Sequence, residues 1–244
     1  MSLALKLALS PLLVAQAVRT RRRTPRLPEA AGARQGRAGQ GPALSLLIAG
    51  DSSAAGVGVA EQSDALSGQL VAALAAHYRV DWRLLARSGL TTEQVLALLE
   101  QSGAAPADVA VVVSGVNDVV EQVPSQHAVA ARERLVAWLR NRCGVMHVVF
   151  APLPPMRGFP ALPQPLRWVA GRDAERHDQA LARWAASRAD VSRVPMRLQP
   201  DPAAMADDGF HPGAPACRRY GQAIAGHIVA HVRPHPAARI LETP

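Results

Sequence analysis

Two neighbouring serines, Ser52 and Ser53, stand in the stretch IAGDSSAAGVGV at residues 48–59, directly after a short apolar run. A serine hydroxyl becomes a nucleophile when a base takes its proton, an acid orients that base, and N–H donors receive the charge that grows on the attacked oxygen. The stretch DDGFHPGAP supplies the base and the acid: Asp208 and His211, three residues apart in a loop marked by Gly and Pro. In an extended or turn segment this spacing lets the carboxylate reach Nδ1 of the imidazole and leaves Nε2 for a serine. Two more loops offer N–H donors, RSGLTT with Gly89 and SGVND with Asn117. Taken singly, each feature has an ordinary reading. Ser52 or Asp51 can cap a helix, Gly89 can be a turn glycine, and Asn117-Asp118 can form an Asx turn.

Other chemistries have less support. GVGVAE gives G-x-G without a third glycine, and no G-K-[ST] follows, so neither a dinucleotide fingerprint nor a phosphate loop is present. His77, His127, His147, His177, His227, His231 and His235 are scattered without H-E-x-x-H spacing, and no metal or other cofactor is expected. Cys143 and Cys217 are isolated, with no C-x-x-C, and read as buried thiols in a reducing compartment.

The elements that must hold these loops follow from hydrophobic periodicity. ALSLLIAG, VDWRLLAR, VAVVVSG, VMHVVFAP and the weaker VSRVPM read as strands. Helical spacing runs through ALSGQLVAALAAHY, TTEQVLALLEQS with a Thr cap, QHAVAARERLVAWLRNR, DAERHDQALARWAASR and a last segment over 214–232. Five strands alternating with helices argue for a parallel sheet covered by helices on both faces. Ligands bind such sheets at the carboxyl ends of the strands. GDSSAAG, RSGLTT and SGVND each follow a strand and therefore share one sheet edge. The proline-dense segment 151–168 follows the fourth strand, and is either a lid or pocket wall or a stiff surface crossover.

The combination is more specific than its parts. Gly50-Asp51-Ser52 after the first strand, Gly89 after the second, Gly115-x-Asn117-Asp118 after the third and Asp208-x-x-His211 near the C-terminus resemble, in order and spacing, the SGNH hydrolases, also called the GDSL esterase/lipase family. The resemblance covers about residues 44–232. It implies a three-layer α/β/α sandwich of flavodoxin-like kind with a five-stranded parallel sheet. It also implies Ser52 as nucleophile, with His211 and Asp208 completing the triad. The Ser52 and Gly89 backbone N–H groups and the Asn117 side chain would form the oxyanion hole. Ser53 is then a small helix-opening residue, and Ser88 and Ser114 are neighbours. The reaction implied is cleavage of a carboxylic ester or thioester in a small-molecule substrate through an acyl-serine, without a cofactor. The same likeness covers carbohydrate O-deacetylases, thioesterases, lysophospholipases and arylesterases, and an acyltransferase could use the same triad. A binding module for membrane or nucleic acid, keeping the fold as scaffold, is the alternative from another class.

The 244 residues suit one α/β domain with a full core. The net charge of +8 is almost wholly arginine, concentrated at Arg19, Arg21, Arg22, Arg23, Arg26, Arg34 and Arg37. No aromatic residues interleave with them, and no nucleic-acid partner is expected. The apolar run at residues 3–18 is broken by Lys6, Ser10, Pro11 and Gln16, which leaves it short of a membrane span. It resembles a signal peptide with Ala15-Gln16-Ala17 as cleavage site, but its positive charge follows the apolar run and argues for retention in the cytoplasm, peripheral at the membrane surface. The organisation expected is an apolar and basic segment with a linker over 1–42, a catalytic domain over 43–235 and a tail over 236–244.

Overall fold

The computed structural model describes residues 3–103, 105–196 and 201–232. Residues 233–244, and with them His235, the expected domain end and the expected tail, lie outside the described residues. The chain begins with α1 (Leu3–Arg23) and then forms β1 (Gln35–Ala38), β2 (Ala43–Gly50), α2 (Ser52–Ala55), α3 (Leu66–Leu74) and β3 (Arg79–Ala86). It continues through α4 (Thr92–Ser102), β4 (Val109–Val113), α5 (Val116–Val120), α6 (Ser125–Cys143) and β5 (His147–Phe150). The last elements are α7 (Leu166–Ala186), β6 (Val191–Arg193) and α8 (Ala214–His231).

The strands lie in the order β1-β3-β2-β4-β5-β6. All neighbours run parallel except β1, which pairs antiparallel with β3. Alternation along the strands divides the core between the two faces. Leu47, Ala49, Ala110, Val112, Val148 and Phe150 pack under α4, α6 and α7. Leu44, Leu46, Ile48, Val111 and Val149 pack under α3 and α8. The central strands are buried on both sides, so their sequences read as unbroken apolar runs. The α/β/α sandwich is the expected one, with six strands in the sheet where five were expected.

The sixth strand corrects the linker expected at the end of residues 1–42. Gln35–Ala38 docks on the edge of the sheet, with Arg37 Nε 2.6 Å from Asp81 Oδ1. Ala30 is buried and Ala31 bridges to Glu61. This arm is held by its main chain, and its side chains are mostly exposed. No hydrophobic alternation therefore marks it, and its Gly and polar residues look like a loop. Before it, α1 rests against the start of α7: Leu13 is buried, the Gln16 amide donates to the Gln164 carbonyl, and the Leu166 N–H donates to Gln16. Among the described residues, no helix is long and apolar enough to cross a membrane.

Candidate active site

Ser52 opens the four-residue α2, immediately beyond the end of β2. The turn is tight enough that a Cβ on Gly50 would lie 2.2 Å from the Val113 carbonyl oxygen, which only glycine permits. Asp51 caps the helix: its Oδ1 accepts the Ser53 N–H at 3.0 Å, and its own N–H donates to Val113. The cap and the strand pairing together fix where the Ser52 side chain starts.

The loop before α8 brings the base to it. His211 Nε2 lies 3.0 Å from Ser52 Oγ, and His211 Nδ1 lies 2.5 Å from Asp208 Oδ2. Asp208 Oδ1 accepts the backbone N–H groups of Phe210 and His211, each at 2.9 Å. Burial would raise the Asp208 carboxyl, but these bonds, the one to the His211 side chain foremost, hold it below its ordinary value. An ionised Asp208 can only accept, so the proton sits on Nδ1 and Nε2 is free to accept from the serine hydroxyl. That is the tautomer a general base requires.

Through Asn117, the two loops singled out as donors connect to the turn that carries Ser52. Gly89 follows β3 at φ +83°, with nothing but its chain neighbours within 4 Å of where a Cβ would be, and glycine is there for its backbone. Asn117 lies in α5; its Nδ2 donates to the Leu90 carbonyl at 3.0 Å and approaches Asp51 Oδ2 at 3.5 Å. Asn117 thus ties the Gly89 loop to the turn that carries Ser52. A second tie was not foreseen: the buried Asp118 accepts from the Thr92 N–H at 2.9 Å and the Thr92 hydroxyl at 2.6 Å. Arg132, fully buried, stands 3.6 Å from the same carboxylate. Its place in a helix of ordinary charge pattern gave no sign of this.

Neither neighbouring serine has the setting of Ser52. Ser88 Oγ donates to Glu29 at 2.8 Å, and Ser114 Oγ lies 3.0 Å from Thr92 Oγ1. Cys217 lines the cavity that opens from Ser52, but burial pushes its thiol up to about 11, which keeps it protonated at neutral pH. Both cysteines are free and buried. Among the described residues, no group of three or more His, Cys, Asp or Glu side chains is placed to hold a metal ion.

A cavity opens from Ser52 and His211 and runs along an apolar wall of Leu66, Val116, Leu153, Phe159, Met205 and Phe210. Of the two readings of residues 151–168, the wall fits the first half, since Pro152 to Pro155 line the cavity. Leu153, Met156, Phe159 and Leu162 are buried, and the Phe159 ring meets Phe210 edge-on at 5.1 Å.

The model of the GDSL-like lipase/acylhydrolase family matches residues 48–219. The chain belongs to this family. It is therefore a hydrolase acting on ester bonds, and a Ser-His-Asp triad with an oxyanion hole is typical of this GDSL family. Solved structures of the same fold include a lipase, Lip_vut3, from a goat rumen metagenome, at 18% identity and TM-score 0.61, covering 79% of this chain and 99% of that one. A family 3 carbohydrate esterase of Clostridium thermocellum aligns at 15% identity and TM-score 0.59, covering 77% and 96%. The psychrotrophic esterase EstA of a Pseudoalteromonas species, in a structure inhibited by monoethylphosphonate, aligns at 18% identity and TM-score 0.54, covering 77% and 96%. No curated protein matches the chain.

One carboxylate of the GDSL motif carries a pH signature. Asp51 is completely buried, and desolvation raises its carboxyl from the ordinary 3.8 to about 7, against the Ser53 N–H bond that lowers it. A folded value above the unfolded one means that the native state keeps a proton that the unfolded state releases. Stability therefore falls as pH rises from about 4 to about 7. Asp51→Asn, neutral throughout, is expected to gain thermal midpoint over the unsubstituted protein at pH 8 and to gain less at pH 5. Melting curves across that range check this, and a gain that does not grow with pH removes the assignment.

Proposed function

We propose that the chain cleaves a carboxylic ester or thioester with an apolar acyl group through an acyl-Ser52 intermediate. The observation that carries this is the unbroken hydrogen-bond line from Ser52 Oγ through His211 to Asp208, opening onto an apolar cavity. As Ser52 Oγ attacks the carbonyl carbon, His211 Nε2 takes the hydroxyl proton and Asp208 stabilises the imidazolium. The carbonyl oxygen becomes an anion beside the Ser52 and Gly89 N–H groups and the Asn117 amide. Collapse breaks the bond to the alcohol or thiol, which leaves with the proton from His211. Water then gives a proton to His211 and its hydroxyl to the acyl carbon, and the acid departs as the proton returns to Ser52.

Labelling with a fluorophosphonate, followed by a panel of p-nitrophenyl esters of increasing chain length, tests this reading. Labelling on Ser52 and turnover that rises beyond acetate are expected, as the apolar wall requires. Turnover confined to acetylated sugars would replace the apolar acyl group by carbohydrate O-deacetylation. Products joined to an added alcohol in preference to water would make the chain an acyltransferase. Absence of both labelling and turnover would leave a binding module.

We also propose a cytoplasmic location, peripheral at a membrane surface, because the basic cluster follows the apolar run of α1. Val14 and Val18 stand one turn apart on the outer side of α1, and Arg21 and Arg22 continue the same side at helical spacing, all exposed. An apolar face joined to a basic cluster is what reversible attachment to anionic lipid needs. Removing residues 1–24 takes α1 and leaves β1. The truncated protein is expected to hydrolyse p-nitrophenyl acetate largely as before and to lose co-sedimentation with anionic liposomes. Salt should weaken attachment of the full chain, because exposed charges are screened within ~3 Å at 1 M. Equal pelleting of both forms would remove the attachment.

A further inference from the structure

The N-terminal arm, which lies before the family's matched region, reaches the candidate oxyanion loop. Glu29 Oε1 accepts two bonds from one residue, the Ser88 N–H at 2.7 Å and the Ser88 hydroxyl at 2.8 Å. Its other oxygen, Oε2, pairs with Arg34 Nη2 at 2.6 Å, and Arg34 Nη1 donates to the Ala86 carbonyl at 2.9 Å. The ion pair therefore grips both ends of the three-residue segment that leads from β3 into Gly89. The arm is itself held in register. The Gln62 N–H donates to the Ala31 carbonyl at 2.7 Å, the Ala31 N–H donates to the Ala60 carbonyl at 2.8 Å, and the Leu84 N–H donates to the Arg34 carbonyl at 2.7 Å.

Gly89 needs such a grip. Its two chain neighbours aside, no heavy atom lies within 4 Å of the position of its missing side chain, so no packing on that side sets where its peptide stands. Its placement comes from what holds Ser88 before it and Leu90 and Thr92 after it. The later side is tied by Asn117 and Asp118; the earlier side is tied by Glu29. A donor aimed at a transition-state oxygen has to be held in advance, and a misplacement of about 1 Å near a reacting centre can cost ~10²-fold in rate.

We infer that Glu29, braced by Arg34, is a positioning residue that fixes the Ser88-Gly89 peptide for oxyanion stabilisation. This rests on the reading of Ser52 as nucleophile and of Gly89 as an oxyanion donor. The carboxylate is suited to the task. Burial would raise it, but the bonds from Ser88 and Arg34 outweigh that and hold it below its ordinary value, so it remains an acceptor at neutral pH.

Two variants separate the acceptor from the charge. Glu29→Gln loses the charge and keeps an acceptor oxygen at the same reach; Glu29→Asp keeps the charge and withdraws the oxygen by one methylene. On a soluble p-nitrophenyl ester, Glu29→Ala and Glu29→Asp are expected to lower kcat about tenfold or more with KM nearly unchanged, and Glu29→Gln to stay within about threefold. The rate of fluorophosphonate labelling should fall in step with kcat. Arg37→Ala, which breaks the arm's other ion pair on the same sheet edge, is expected to leave kcat alone. If Glu29→Ala does not fold, the contrast of Asp with Gln decides. Equal losses in Glu29→Asp and Glu29→Gln, losses in KM in place of kcat, or an equal loss in Arg37→Ala would reduce Glu29 to a structural brace and overturn the inference. A labelled protein indifferent to all three Glu29 variants would overturn the inference alone. An unsubstituted protein that takes no label on Ser52 would overturn the hydrolase reading and this inference with it.

Discussion

Ser52→Ala is expected to abolish fluorophosphonate labelling and to lower ester turnover by ~10⁴-fold or more, while Ser53→Ala keeps most of both. The contrast follows from geometry. Only the Ser52 hydroxyl meets His211, at 3.0 Å, whereas Ser53 contributes its backbone N–H to the Asp51 cap. That backbone donor survives the Ser53 substitution, so the turn that aims Ser52 stays intact. Ser52→Ala leaves His211 and Asp208 in place, and the rate that persists measures what the donors and binding achieve without a nucleophile. Kinetics of both variants on one soluble ester, with labelling followed by mass, check the result. A dead Ser53 variant beside an active Ser52 variant would falsify the assignment.

How far the sequence shows the fold depends on how each element is held. Strands β2, β4 and β5 are buried on both faces, and their runs of Val, Leu and Ile announce them without reference to any partner. Thr91 also announces α4: its side chain and that of Gln94 form a reciprocal cap, with the Thr91 N–H donating to Gln94 Oε1 at 2.9 Å. Strand β1 gives no such sign, because an edge strand attached through main-chain bonds needs no apolar side chains. Residue types that do chemistry are legible when they fall just beyond strands, as Ser52, Gly89 and Asn117 do, or just before a helix, as the Asp208-His211 pair does. What the sequence hides is the support beneath them. Asp118 and Thr92 are 26 positions apart and Glu29 and Ser88 are 59 apart, and no local pattern announces a hydrogen bond across such a separation. Arg132 looks like one more basic residue of α6, yet it is fully buried beside Asp118.

The second large effect is expected at Asn117. Its amide donates to the Leu90 carbonyl at 3.0 Å, and its contact with Asp51 is long, at 3.5 Å. One N–H is thus engaged in holding the loop, and the other is only weakly committed to Asp51, which leaves it as the donor for an anion that forms at Ser52. A carbonyl oxygen in the bound ester carries only partial charge, so this donor matters little to substrate binding. In the tetrahedral intermediate the oxygen is a full anion, and the same N–H becomes strongly stabilising in a site shielded from water. Asn117→Ala should therefore lower kcat by ~10²–10³-fold with a much smaller change in KM. Asn117→Asp should lose at least as much, because it replaces the donor by a carboxylate 3.5 Å or so from Asp51 and directly repels the oxyanion. Both variants should keep a Ser52 that is hydrogen-bonded to His211, since neither of those bonds involves Asn117. Steady-state kinetics over a range of ester concentrations distinguishes the outcomes. A loss confined to KM would make Asn117 a residue that binds the ground state and would move the oxyanion role to the backbone donors alone.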